Sequence, residues 1–362
     1  MSRDIFLVYS SADEDLRFWD HYFGKLDDKG IYHAPRYIKV LESYVGHAAE
    51  LFVYEDETGF VYYPYFKRDM ADLPFMHGRE DLVAHPLYDI VSSWYYGGPL
   101  IHCRVPDQSD RLVDSFIQCF HEYCQKNGII CEFIRFDPNL ENFEFFHQKL
   151  PFQSNRETVY VDLQRSPQEI WKGVSNRSRT YIRKAKTNGV SVEPSDLLSD
   201  MDAFCTIYCS EMDRKSAMGH YRFDRPFFHK LQDRLRGNLC LLVAKLEGEI
   251  IGGILCLYDD TTVYDFLMAS LPDYLDTQVN KLLMYEAICW AKEDRFHSFD
   301  LQGGREGVFK FKRIFSPLRR TFYTASIVHD AEWYQKLCIS AEEHGSLGDG
   351  SYFPAYRQRA SN

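Results

Sequence analysis

LCLLVAKLEGEIIGGILCLYDDTTVYDFLM, residues 239–268, is read as three strands and two tight turns. The apolar runs Leu239–Ala244, Ile250–Tyr258 and Thr262–Met268 are separated by Glu247-Gly248 and Asp259-Asp260, which predicts an antiparallel meander. Past it, Asn280–Lys292 has helical periodicity, and Ser298–Leu301 is predicted as a strand that ends on Phe299-Asp300.

An earlier part of the chain follows the same order. Glu50–Tyr54 and Phe60–Phe66 flank the turn cluster Asp56–Gly59 and predict a hairpin, and a long loop rich in His and Pro comes next. Val91–Leu100 is read as a Trp/Tyr-rich strand stopped by Gly97-Gly98-Pro99. Leu112, Val113, Phe116, Ile117, Phe120 and Tyr123 place a helix over Asp110–Lys126, and the strand Ile129–Phe136 ends on Phe136-Asp137. Hairpin, long loop, helix and a strand closing on Phe-Asp therefore occur twice. The fold class expected is α/β (α+β), two tandem units each with a mixed sheet flanked by helices.

A chain of 362 residues exceeds what one compact core usually fills. The expected domains are 1–150, 151–345 and a loosely held tail, 346–362. Residues 1–48 read as short helical and loop segments, with Pro35 opening a helix over Arg36–Tyr44. Hydrophobic content of 45% supports two cores, and a net charge of −11 argues against a protein that coats nucleic acid, DNA included, or membrane by bulk electrostatics, so any anionic partner must meet a local basic patch. The short apolar run Ile5–Tyr9 is followed by Asp13, Glu14 and Asp15, unlike a signal peptide. No stretch is long and apolar enough for a membrane span, so a cytoplasmic protein is expected. Ten cysteines without a CxxC pair read as free thiols, and no metal site is expected. His33, His47, His77, His85, His220 and His297 read as loop or surface residues.

Chemistry concentrates in FDLQGGREGVFKFKRIF, residues 299–315. Gly303-Gly304 breaks the strand and lets the backbone turn or a ligand come close. Arg305, Lys310, Lys312 and Arg313 then interleave with Phe309, Phe311 and Phe315, so cations sit beside apolar rings. A lysine held there would stabilise developing negative charge better than one in open water. The competing reading is a half-buried strand with Phe inward and Lys outward.

A predicted helix, Trp171–Asn188, carries a second concentration of charge. Between Lys172 and Val192 stand Lys172, Arg177, Arg179, Arg183, Lys184 and Lys186, with no acid. Such a face suits a polyanion, a nucleotide pyrophosphate or an RNA backbone; the alternative is a solvated helix face. A further helix is expected over Leu197–Lys215. The chain has no GxSxG, Walker A, GxGxxG opening a helix, or HExxH.

RSRTYIRKAKTNGV (177–190), EMDRKSAMGHYRFDRPFF (211–228), the meander 243–270 and FDLQGG followed by FKFKRIF together resemble the FemABX-like group of GNAT-fold acyltransferases. YYPYFKRDM (62–70), SWYYGGPL (93–100) and EFIRFDP (132–138) extend the resemblance into the first half. It implies two tandem GNAT-like domains, each a mixed sheet flanked by helices. Its best-known members, which are bacterial, move an amino acid from an aminoacyl-tRNA to an amine of a peptidoglycan precursor. Others act in exopolysaccharide or natural-product assembly.

By this resemblance Phe311-Lys312 places its lysine near the reacting carbonyl, with Phe309-Lys310 as the alternative register. Arg214 corresponds to a precursor-phosphate contact and Tyr264 to the aromatic residue of the last meander strand. Arg305, Gly303 and Gly304 border the substrate, and Arg36 and Lys39 are candidates for an early phosphate grip. Asp300 is a candidate base, against a role as strand-end cap. Arg177, Arg179, Arg183, Lys184 and Lys186 would meet tRNA or a nucleotide-linked precursor. No tightly bound cofactor is expected, aminoacyl-tRNA being a co-substrate. Acyl-CoA is the alternative donor, although LPDYLDTQVN (271–280) lacks the glycines of a pyrophosphate loop. The third alternative, a non-catalytic binding module, predicts that Lys310 and Lys312 both face solvent.

Overall fold

The computed structural model describes residues 5–77, 86–195, 197–215, 222–347 and 352–357. The chain divides into two compact units, residues 1–155 with 322–362, and residues 156–321.

In the first unit, β1 (Ile5–Ser10), β2 (Ala48–Glu55), β3 (Gly59–Asp69) and β4 (Tyr88–Val91) pair antiparallel in succession, and β5 (Leu100–Cys103) pairs with β3. Helix α1 (Leu16–Lys25) precedes α2 (Pro35–Val45), which has proline in its first turn and Gly46 at φ 71° as its left-handed cap. The helix α3 (Ser109–Lys126) crosses over to β6 (Ile129–Arg135), which lies parallel to β4. Phe52, Tyr63, Phe116 and Phe120 form the centre of this core. Ile5–Ser10 is thus a strand, not the loop expected, because it finds the edge of β2.

The second unit begins within β7 (Phe152–Asp162), at Arg156. Then come α4 (Pro167–Gly173), α5 (Asn176–Thr187), β8 (Ser191–Pro194), α6 (Leu197–Arg214) and α7 (Arg225–Leu235). The meander is β9 (Leu239–Leu246), β10 (Glu249–Tyr258) and β11 (Thr262–Ser270). Helix α8 (Val279–Glu293) leads from it to β12 (Ser298–Gln302), which is parallel to β11 and antiparallel to β7. Ile182, Ala185, Leu283, Ile288, Ile254 and Phe299 fill the core between α5, α8 and the sheet. On β10 a side chain at Gly253 would meet the Phe204 ring at 2.8 Å, so glycine lets α6 lie close to the strand.

After α9 (Glu306–Lys312) the chain returns to the first unit. There β13 (Arg319–Val328) pairs antiparallel with β6, and α10 (Ala331–Glu343) follows. Both units consequently have the same pairing order: three antiparallel steps, one parallel, one antiparallel. The architecture is a mixed sheet flanked by helices, twice over.

Several boundaries differ from expectation. Trp171–Asn188 is two helices, because Ser175 takes the N-cap of α5 and Val174 is extended and buried. Residues 92–99 are a loop rather than strand, with Tyr95 at φ 71° and Gly98 at φ 86°. Residues 322–343 belong to the first unit, not to a domain running to 345, since β6 holds β13. The tail is pinned where it is described. Tyr356 is 2% exposed and donates to Asp89 Oδ2 at 3.1 Å, and Arg357 Nε reaches the same oxygen at 2.5 Å. The other oxygen of Asp89 takes Arg68 Nε, also at 2.5 Å. Residues 348–351 and 358–362 lie outside the described residues.

Candidate active site

β11 and β12 pair only from Thr262↔Ser298 to Tyr264↔Asp300, after which β11 runs on to Ser270 without that neighbour. A register shift between Leu255 and Cys256 marks a bulge on β11, where Asp265 and Leu267 face consecutive residues of β10. Asp265, the first residue past the parting of the strands, is 5% exposed. Its carboxylate meets Lys312 Nζ at 3.1 Å, and the lysine side chain is only 10% exposed.

Lys312 comes from the last turn of α9, where FKFK is helical and not a strand. Residues two apart lie on one face of a strand but about 200° apart around a helix. This separates the two lysines. Lys310 is 63% exposed and pairs with Glu306 one turn back, while Lys312 turns inward. Phe311 packs edge-on against Phe315 at 5.4 Å. The loop before α9 is tight: Gln302 and Gly304 have φ of 62° and 143°, and a side chain at Gly304 would meet Val308 at 2.8 Å. Asp300, fully buried, accepts from Gln302 N at 2.6 Å, the strand-end turn that competed with its reading as a base.

Beside this loop lies a cavity of about 510 Å³ lined by Arg156, Glu157, Gly304, Arg305, Glu306 and Phe309. The Arg319 guanidinium stands 5.7 Å over the Phe309 ring. Burial lowers the Arg319 pKa, Glu157 opposes that shift, and Arg313 adds to it.

Other predicted residues are not among those that line this cavity. Tyr264 is buried and donates to Asp259 Oδ2 at 2.8 Å, tying the β10–β11 turn. Arg214 is 46% exposed, with Glu211 at 4.0 Å. Arg36 is exposed on α2, and Lys39 Nζ bonds Ser11 O at 2.7 Å and Glu42 Oε2 at 2.9 Å; both lie in the first unit.

The cations of α5 divide by task. Arg179 donates to the carbonyls of Trp171 and Lys172 at 3.2 Å each and so caps α4. Lys186 pairs with Glu286 of α8 at 2.6 Å, an acid that the local sequence did not offer. Arg183 stands over the Trp171 ring at 5.2 Å. Arg177, Arg183 and Lys184 are exposed. Arg177 and Lys281 share the Tyr181 ring, at 5.5 and 5.0 Å, and Lys281 lies in the first turn of α8. Burial first, then Arg177, lowers the pKa of Lys281 despite the opposing effect of Tyr181.

The equivalent parting in the first unit is plugged. β4 and β6 separate after Val91↔Phe133, but Ser92 N bonds Phe133 O at 3.0 Å and Gly97 N bonds Arg135 O at 2.7 Å. The 92–98 loop thus fills the gap, and Gly97 bridges to Phe136. His33 is fully buried near Gly97 and Gly98, contrary to the surface position expected, and burial depresses its pKa to about 4. His85 and His220 lie outside the described residues. Among the described residues, no group of three or more His, Cys, Asp or Glu could hold a metal. No helix among them is long and apolar enough to cross a membrane.

Sequence reasoning missed Asp265, Arg319 and Lys281. The signal for Asp265 was present: it is the lone charge inside TVYDFLMAS, a run otherwise suited to a buried strand.

Residues 172–313 match the family described as acetyltransferase (GNAT) domain. Among solved structures, FemX is similar at 13% identity with a TM-score of 0.65, covering 88% of this chain and 97% of FemX. A conserved protein of unknown function from Bacteroides thetaiotaomicron VPI-5482 is similar at 11% identity and a TM-score of 0.56, covering 90% and 99%. No curated protein matches the sequence. Residues 172–313 thus match a GNAT acetyltransferase domain, and the fold of the chain is similar to that of FemX.

Proposed function

We propose that the chain is an N-acyltransferase that moves an aminoacyl group from aminoacyl-tRNA to an amine of a cell-wall, polysaccharide or peptide-like precursor. The observation that carries this reading is the inward Lys312, paired with Asp265 where β11 and β12 part. Amide formation from an ester needs a bound electrophile, a free amine and relief for the oxyanion. The Lys312 ammonium would supply the third. Gly303 and Gly304 would let the ester approach the backbone, and Arg156, Arg305 and Arg319 would meet ribose phosphates. The exposed Arg177, Arg183 and Lys184 would contact the tRNA backbone or a nucleotide-linked acceptor.

Acyl-CoA is the second reading, favoured by Arg177 and Lys281 beside the first turn of α8. An anion there would offset the charge repulsion between them and meet the positive end of the helix dipole. Gln278 already adopts φ 67° at that turn, the conformation for which a pyrophosphate loop would use glycine.

The test offers radiolabelled aminoacyl-tRNA pools and acetyl-CoA separately, each with cell-wall or polysaccharide precursors. Label moving from aminoacyl-tRNA supports the proposal. Movement only from acetyl-CoA replaces it with the second reading, and movement from neither donor favours a binding module.

A further inference from the structure

Asp265 has no local reason to be where it is. A carboxylate 5% exposed in the middle of a sheet is costly unless a partner meets it. Across β10 its paired residue is Cys256, fully buried, whose thiol pKa is pushed up by burial first, then by Cys240 on β9 and by Asp265. On β12 the nearest acid in register, Asp300, accepts from Gln302 N. On α9, Glu306 and Lys310 pair with each other in solvent, and Arg313 beyond it is exposed. The Lys312 ammonium is the cation shown at the Asp265 carboxylate, and the bulge in β11 fixes where that carboxylate points.

Lys312 needs this as much as Asp265 does. An ammonium so enclosed, with Phe311 and Phe315 on its helix and just beyond, is costly to bury without a counter-charge. Without the carboxylate it would be drawn toward water and away from the point where β11 and β12 part.

We propose that Asp265 is a positioning residue: its carboxylate holds the Lys312 ammonium where β11 and β12 part. The catalytic consequence rests on the transfer reaction proposed above, whereas the placement of Lys312 is tested without any substrate.

The probe is reductive methylation of the full chain with formaldehyde and cyanoborohydride at about pH 8, followed residue by residue by peptide mass spectrometry. In Asp265→Asn, Lys312 is expected to react at least about tenfold faster than in the wild type, with Lys310 unchanged, since an amine no longer held in a buried pair reaches the reagent. Equal Lys312 rates in the two proteins would overturn the proposal. Asp265→Glu retains the charge and serves if the Asn variant does not fold. Its Lys312 rate should stay within about twofold of the wild type, and a rise of about tenfold would overturn the proposal. With a donor in hand, Asp265→Asn should lower turnover by about 100-fold, the scale of one lost oxyanion donor, while Asp265→Glu recovers part of it. A labelling change without any turnover change would leave the pairing intact and sink the catalytic reading of Lys312 instead.

Discussion

Replacing Lys312 by Met removes one member of a pair that is 3.1 Å apart and nearly dry, with side chains 10% and 6% exposed. At an effective dielectric constant of about 20, the Coulomb attraction at this distance is about 5 kcal/mol. Removing one partner of a buried pair generally costs about 3–5 kcal/mol, because the other charge is left without compensation. For a unit spanning residues 156–321, each kcal/mol corresponds to about 2–4 °C, so Tm at pH 7 should fall by roughly 6–20 °C. Lys312→Met with Asp265→Leu removes both charges and should recover most of the Tm at pH 7 while remaining inactive. Urea unfolding of wild type, both single variants and the double variant at pH 7 and pH 5 gives the coupling energy. A Tm for Lys312→Met within 2 °C of the wild type at both pH values, with coupling below about 0.5 kcal/mol, would refute the burial argument and the active-site assignment built on it.

Arg357→Ala should destabilise the first unit by about 3 kcal/mol, since Asp89 is fully buried and loses one of two guanidinium partners; unfolding unchanged from the wild type would mean the tail is not anchored. Arg177→Glu with Arg183→Glu should weaken tRNA binding and flatten its dependence on salt, measured by filter binding from 50 to 200 mM salt. Arg179→Ala should instead cost about 1 kcal/mol of stability by uncapping α4, with the salt slope unaltered. His33 is held neutral with its pKa lowered to about 4, below its unfolded value. Its contribution is therefore complete above about pH 6.5 and is lost as pH falls toward 4, about 3 kcal/mol in all. His33→Gln should flatten that acid limb in a pH series of melts.

Long periodic segments were legible without coordinates. The meander 239–268, the helices 109–126 and 279–293 and the hairpin 48–69 follow from alternation, helical spacing and turn residues, all local properties. The tandem arrangement was legible too, because the order hairpin, helix, strand recurs. FKFK was not, since so short a run satisfies both the strand and the helix pattern. The turn at Gly303-Gly304 and the docking of Lys312 decide for the helix.

Sequence by itself determined the types of the long periodic elements, the two-fold repeat and the concentration of candidate chemistry in 299–315, because each depends on neighbours within a few residues. Tertiary structure alone decided three further things. Asp265 meets Lys312 from beyond α8 and β12 in sequence, Glu286 neutralises Lys186 from another helix, and β13, late in the chain, pairs with β6. These are non-local pairings, whose choice depends on the burial of charge and strand edges that exist only once the chain has folded.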